Sequence, residues 1–255
     1  MELDPTVRDN FFPGLTVKIV KNDGESVFGV VKEIFTQLAH DPNGIYLKLE
    51  SGEIGNATEI IQTKTEIDSN LLVIQLIKDL KADEGQYIEF KETFGYPTNS
   101  QAENIETDLK LTFSVGKTVQ AFANAEGGTL YIGIKDRVRT PVGLDGDISL
   151  MSPGKRDVDG LQIEIKSTLK TFFSRGNKIF EFVKVRFVKY QGKDVCIIKS
   201  EPSDIPFCLT SKHTGQKHDY FYVRIGNSSE PLTANQFFDY WLKRRTEMFS
   251  LNFRR

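Results

Sequence analysis

The sequence has few of the residues that staple a fold together. Only two cysteines, Cys196 and Cys208, occur in 255 residues. They cannot form a disulfide framework, and a reducing cytoplasm is the expected compartment. Taken with His213 and His218 as a zinc set, they fall at intervals of 12, 5 and 5. Those intervals lack the tight C-x-x-C pair of most structural zinc sites, so a buried thiol is the better reading of Cys196. With only three histidines, a histidine-based acid–base nuclease has few candidates. No apolar run nears bilayer length. The best, "LLVIQLI" at 71–77, is far too short, so no membrane span is expected. The first ten residues, "MELDPTVRDN", show no basic-then-apolar organisation, and no secretory signal is expected. A phosphate-binding loop is also missing. "GKT" at 116–118 needs a glycine five residues before Gly116, and Leu111 stands there. "NAEGGTLYIGI" runs from helix to strand, the reverse of a dinucleotide fingerprint.

What is present suffices for a packed core: 39% hydrophobic and 11% aromatic residues, in a length that fits one large domain or a small and a medium one. Net charge is −2 but unevenly spread. Residues 175–255 hold 15 Lys and Arg against 8 Asp and Glu, a net of +7, which leaves 18 against 27, a net of −9, for residues 1–174. An acidic front and a basic tail suit a polyanionic partner, and equally two solvated faces.

Residues 11–62 read as short strands and turns: "LTVKIV" (15–20), "NDG" (22–24), "VFGVVKEIF" (27–35), "DPNG" (41–44) and "IYLKLE" (45–50). Four or five strands at this spacing predict a small β-barrel. A connecting helix is expected over 63–82. Leu71, Ile74, Ile77 and Leu80 form its stripe, with Ser69 or Asn70 as N-cap. A second domain is expected over 83–249. "YIEFKETF" alternates as a strand, with Ile88 and Phe90 on one side and Glu89 and Lys91 on the other. A helix capped by Ser114 and ended by Gly127 follows, then a buried strand over 129–134 and a helix over 157–173. The strands 179–190 and 194–200 form a hairpin, 219–226 is another strand, and the last helix opens with a capping box, Thr233 and Gln236. Phe237, Phe238 and Trp241 at helical spacing read as core. The order β-α-β-α-β-β-β-α predicts an α+β fold with a central mixed sheet and flanking helices.

The acidic stretch "ADEGQYIEFKETF" (82–94) carries the chemistry in question. Positions five apart in a straight strand face opposite ways, so Glu84 meets Glu89 only if the chain bends at Gly85. Asp136 follows the buried strand, where a side chain emerges at a sheet end. Three such carboxylates could hold Mg²⁺ or Mn²⁺, which take oxygen ligands, and clamp a phosphodiester. Lys91 would neutralise phosphate charge or position the water. The competing reading is a salt-bridged strand edge.

Three ordered motifs carry a resemblance. "EGQYIEFK" (84–91) looks like E-s-x-x-x-E-F-K, "VQAFANAEGGTLYIGIKD" (119–136) like A-F-A-N-t-x-G-G-x-x-x-x-G-V-x-D, and "YFYVRIGNSS" (220–229) like Y-x-R-x-G-x-S-x. The second domain thus resembles the Schlafen core, or AlbA-like Schlafen domain. The departures are Lys135, where the family is often acidic, and a longer 95–113 segment. The resemblance implies a nucleic-acid-processing protein, first of all a metal-dependent endoribonuclease acting on structured RNA such as tRNA or rRNA. Glu84, Glu89 and Asp136 would be its metal-binding and catalytic acids, Lys91 its phosphate contact, and Mg²⁺ or Mn²⁺ its cofactor. Lys117, Arg137, Arg139, Lys212, Lys217 and Arg224 would line the nucleic-acid path. The alternatives are a non-catalytic DNA- or RNA-binding regulator and, more weakly, an ATP-binding module. Schlafen cores pair, so a homodimer is compatible. Residues 13–20, 29–36 and 40–55 resemble the small YwbE-type domain, which implies an SH3- or KOW-like barrel.

Overall fold

The alternating runs near the start of the chain become the strands of a closed barrel. In a computed structural model, which describes residues 3–61, 64–98, 106–211 and 218–252, the chain divides into two units, Met1–Ile77 and Lys78–Arg255. In the first unit β1 (Thr16–Lys21) pairs antiparallel with β2 (Ser26–Ile34), β2 with β3 (Tyr46–Leu49), β3 with β4 (Ile54–Ile60), and β4 closes back on β1. Register shifts at Lys18/Ile19 and Val31/Glu33 mark bulges that help so few strands curl shut. Period-two alternation turns Leu15, Val17, Ile19, Leu47 and Leu49 inward, where all are fully buried. Each such side chain contributes about 1.5–3 kcal/mol over leaving it exposed. The "DPNG" turn closes as its residue types predict. Asp41 Oδ1 accepts from Asn43 N at 3.0 Å, and Gly44 takes φ +87°, a left-handed value that glycine adopts without steric penalty.

Helix α1 (Lys64–Asp79) begins earlier than the capping signal predicts, so Ser69 and Asn70 lie inside it rather than at its N-cap. No described helix is long and apolar enough to cross a membrane.

The second unit is α+β. Its sheet has the order β5 (Ile88–Lys91), β6 (Gly128–Ile132), β8, β7. Strands β5 and β6 are parallel and joined through α2 (Leu109–Asn124). The other pairings, β6 to β8 and β7 (Val183–Tyr190) to β8 (Lys193–Ser200), are antiparallel. The sheet is therefore mixed, as the element order predicted. Residues Leu130, Ile132, Val183, Val185, Cys196 and Ile198 share one face and pack on Val115, Val119 and Phe122 of α2 and on Leu161, Ile165 and Leu169 of α4 (Val158–Phe172). Between β6 and α4 lies a short helix, α3 (Asp145–Ser149), that the loop-like sequence concealed. The cap of α2 is Asp108, which accepts from Lys110 N at 2.7 Å, so Ser114 is interior rather than capping. Gly127, at φ +82°, does end the helix, with its N–H on Phe122 O.

Two short hairpins follow: β9 (Leu209–Ser211) with β10 (His218–Tyr220), and β11 (Tyr222–Ile225) with β12 (Ser228–Pro231). The expected strand over 219–226 is thus broken at Phe221. The last helix, α5 (Ala234–Asn252), has its capping box: Gln236 Oε1 accepts from Thr233 N at 2.9 Å. Phe221, Val223 and Trp241 form a satellite core with Phe237 packed on it, whereas Phe238 points to solvent and is no core residue.

The asparagine of the A-F-A-N motif anchors this region. Asn124 Nδ2 donates to Phe207 O (2.9 Å) and Tyr222 O (3.0 Å), and its Oδ1 accepts from Phe207 N (3.0 Å). One turn earlier, Gln120 Nε2 donates to Phe207 O and Tyr220 O, and Gln120 Oε1 accepts from Tyr222 N. Both side chains are fully buried. An orphaned buried polar group costs about 1–3 kcal/mol. Asn124→Ala is therefore expected to lower stability by at least about 2 kcal/mol, read in denaturant unfolding followed by the single tryptophan, Trp241.

Candidate functional site

The site begins at the turn before β5. Gly85 N donates to Ile88 O at 3.1 Å, and Glu84 reaches past the turn so that its Oε1 accepts from Phe90 N at 2.8 Å. The chain does fold back here, but glycine is not what permits it. Gly85 has no positive φ, and a Cβ there would meet nothing within 4 Å. Gln86 then locks the turn to β11: its Nε2 donates to Arg224 O (3.1 Å), and Gly226 N donates to its Oε1 (2.8 Å).

Arg224 comes from that strand and fills the space behind the turn. Its Nε and Nη2 donate to Gly85 O at 2.9 and 2.8 Å, and Nη2 also reaches Glu89 Oε2 at 2.8 Å. The guanidinium lies over the Phe122 ring, 5.0 Å from its centre, and the side chain is 1% exposed. Arg224 therefore does not line a nucleic-acid path as expected; burial and three oxygen partners direct its donors inward. Glu89 Oε1 accepts from Lys91 Nζ at 3.0 Å, so Glu89 lies between two cations.

The other two carboxylates meet a different cation. Between β6 and Pro141 the chain makes a tight loop in which Arg137 and Arg139 both take left-handed backbone angles, φ 61° and 54°. Asp136 Oδ1 accepts from Arg137 N at 2.7 Å. Arg139 turns inward over the Phe90 ring, 4.2 Å from its centre. Its Nη1 is buried, 3.6 Å from Glu84 Oε1 and 3.8 Å from Asp136 Oδ1, with no hydrogen bond among the described residues.

The strand pleat explains the division. Parallel pairing sets Phe90 beside Tyr131, with rings stacked at 5.3 Å, and sets Glu89 and Lys91 beside Leu130 and Ile132 on the helix-covered face. Glu84 and Asp136 gather at the Phe90 ring through Arg139, and Glu89 turns to the other face. Among the described residues no three acidic, histidine or cysteine groups are placed to hold a metal ion. The acidic set expected from the sequence, Glu84, Glu89 and Asp136, is split into a pair on Arg139 and a single between Lys91 and Arg224, so in this arrangement it does not fit a shared Mg²⁺ or Mn²⁺.

The remaining expected contacts are dispersed. Lys117 Nζ lies 5.8 Å from the Tyr222 ring centre, and Arg137 is exposed at its loop. Lys212, Lys217 and His213 lie outside the described residues, as does the side chain of His218. Cys196 is buried in the sheet, where loss of solvent pushes its thiol well above the ordinary range, and "GKT" is interior to α2. The sequence reading missed a cationic row. Lys184 of β7 pairs directly with Lys199 of β8, and Arg186 lies two residues along the same face of β7; all three are exposed. The alternation in "VKVRF" was the available signal.

A family model described as "Schlafen, AlbA_2" matches residues 84–233. The chain belongs to that family. Membership points to a nucleic-acid-related function in broad terms. A second model, described as "Uncharacterized conserved protein (DUF2196)", matches residues 4–60, the barrel; the YwbE-type likeness of that unit rests on its motifs alone. Among solved structures the chain is similar to the DIP2311 protein from Corynebacterium diphtheriae, at 18% identity and a TM-score of 0.43, over 67% of this chain and 28% of that one. It is also similar to the N-terminal domain of a RecG-related protein from Nitrosomonas europaea, at 22% identity and a TM-score of 0.36, over 62% of this chain and 90% of that one. The chain thus spans little more than a quarter of the Corynebacterium protein. No curated protein matches it.

Within this Schlafen domain the buried Arg224–Glu89 pair gives a measurable coupling. Removing one partner of such a pair costs about 3–5 kcal/mol, because the other charge is left unpaired. Arg224→Met should lose about that much, and Glu89→Gln should be far less costly in the Arg224→Met background than in wild type. A double-mutant cycle on urea unfolding measures it.

Proposed function

We propose that the chain binds structured RNA, such as tRNA, through its phosphate backbone. The observation that carries this reading is the row of Lys184, Lys199 and Arg186. Like charges set directly opposite each other across a strand pair destabilise the sheet. Among the described residues, Lys199 pairs with Glu201 at 3.1 Å, and Arg186 Nη1 donates to the adjacent Val185 O at 3.3 Å. A cationic row of this kind gains most from a polyanion laid across it, and folded RNA is recognised chiefly by shape and backbone contacts. Family membership supports the same reading.

The test is anisotropy titration of labelled tRNA and of duplex DNA between low and physiological salt. Affinity should fall steeply with salt, with a slope near 0.9 per phosphate neutralised in a duplex. Lys184→Ala and Arg186→Ala should each reduce that slope by about 1 and weaken binding uniformly across sequences. DNA bound as tightly as tRNA would shift the reading to a general nucleic-acid binder. Salt-independent binding, or variants that bind as wild type does, would remove it.

A second reading has one specific observation in its favour: Glu84 and Asp136 converge on one guanidinium, so two of the three expected acids do come together. In that reading the chain is a metal-dependent endoribonuclease, which requires Arg139 to vacate its place between Glu84 and Asp136 and Lys91 to leave Glu89 for the scissile phosphate. Incubation of tRNA with Mn²⁺ or Mg²⁺, wild type beside Glu89→Ala, decides it. Cleavage by wild type alone supports the enzyme. Equal cleavage by both, or none with either metal, leaves RNA binding as the function.

A further inference from the structure

The acidic pair at the Phe90 ring already contains a cation. Three features place Arg139 there. Its backbone takes a left-handed angle, Asp136 three residues before it accepts the Arg137 N–H and so fixes the start of the loop, and its guanidinium is stacked on an aromatic face. The backbone of the loop is closed on itself: Lys135 N donates to Thr140 O at 2.9 Å, and Arg139 N to Lys135 O at 3.0 Å. The side chain is thereby aimed at Glu84 rather than at solvent. Its Nη1 lies at ion-pair distance from both carboxylates and forms no hydrogen bond among the described residues. A point of positive charge equidistant from two carboxylates is the electrostatic place of a bound divalent ion. Two such charges cannot share it, because repulsion between them at a few ångström is strong in a partly dry setting.

We infer that Arg139 is a built-in counter-ion, and that the wild-type chain holds no divalent cation between Glu84 and Asp136 because its own guanidinium occupies that position. The acidic pair is then a metal-independent ion-pair network that pins the 135–140 loop to the start of β5. The inference stands apart from RNA binding, which the cationic row carries whether or not a metal enters here.

Thermal melting and Mn²⁺ titration calorimetry on the full chain test it. Wild type should show no Mn²⁺-induced rise in melting temperature and no calorimetric binding that Glu84→Gln abolishes. Arg139→Gln removes the charge and keeps the planar end. It should melt several degrees lower, bind Mn²⁺ at least tenfold more tightly than wild type, and regain much of the lost melting temperature in millimolar Mn²⁺. Adding Asp136→Asn to Arg139→Gln should erase that response. Arg139→Lys keeps the charge, so it should melt close to wild type and remain insensitive to metal. It also supplies the comparison should Arg139→Gln not fold. Wild-type Mn²⁺ binding that is lost in Glu84→Gln overturns the inference, and so does an Arg139→Gln protein that is as stable as wild type or blind to Mn²⁺. Failure here would leave the salt-dependent RNA binding untouched, whereas loss of RNA binding would leave the Mn²⁺ comparison unchanged.

Discussion

The buried guanidinium of Arg224 is the contact on which the second unit is organised. It sits in β11, near the end of the family match, and donates to the carbonyl of Gly85, at the beginning of that match. A charge with 1% of its side chain exposed is stable only where the oxygen partners are numerous and well placed. Gly85 O, Ile88 O and Glu89 Oε2 supply them. That requirement fixes the turn at 84–88, and the turn fixes where Glu84 can reach. Gln86 repeats the tie through the backbone of Arg224 and Gly226. From the other side, Gln120 and Asn124 hold Phe207, Tyr220 and Tyr222 by their main chains. Three sequence motifs far apart in the chain are thus parts of one hydrogen-bonded assembly. Their residues read as catalytic or nucleic-acid-binding in isolation, yet several are needed first to join the pieces.

The sheet imposes the next constraint. A strand of four residues at the edge of a sheet has two faces and one free edge, and the three expected carboxylates use all of these differently. Glu84 satisfies the free edge by accepting the Phe90 N–H, Glu89 belongs to the helix-covered face, and Asp136 approaches from the loop after β6. Glu84 and Glu89, half-buried, each find a cation because an acid left alone there would be costly, and Asp136, more exposed, shares the cation at Glu84. Lys91 and Arg224 serve Glu89, and Arg139 serves the other two. Phe90 helps on its own account: its ring stacks on Tyr131, whose hydroxyl donates to Asp79 Oδ2 at 2.6 Å, and it offers its far side to Arg139.

Periodicity made much of this legible. The barrel strands, the alternation of β5, the sheet-facing stripe of α4 and the capping box of α5 all follow from spacing that the chain displays openly. The starts of α1 and α2 did not, because Asp108 and Ser114 are both competent caps and only the packing of Thr112 and Val115 extends the helix back to the first of them. Phe238 was misjudged because helical spacing assigns a face without saying whether another element covers it. The site was legible in its residue types and not in its pairings. Glu84 lies in the turn before β5, so strand alternation does not govern where it reaches. No local pattern announces that Arg139, in a loop rich in charge, would turn inward through a left-handed backbone.

Cations of the second unit therefore differ in a way that net charge cannot show. Arg224, Arg139 and Lys91 are turned toward the chain's own carboxylates, and their charge is spent within the fold. Lys184 and Arg186 stand exposed on a pleat that sets like charge beside Lys199. Unlike those three, Lys184 and Arg186 can neutralise phosphate without first breaking an ion pair among the described residues. Association driven by phosphate charge should therefore depend on β7 and β8, on the far side of the sheet from β5, and much less on the acidic stretch that first draws the eye. If a nucleic-acid strand does reach Glu84 and Asp136, it must offer Arg139 a better anion than the two it holds. A phosphodiester with its full charge is one of the few groups that can.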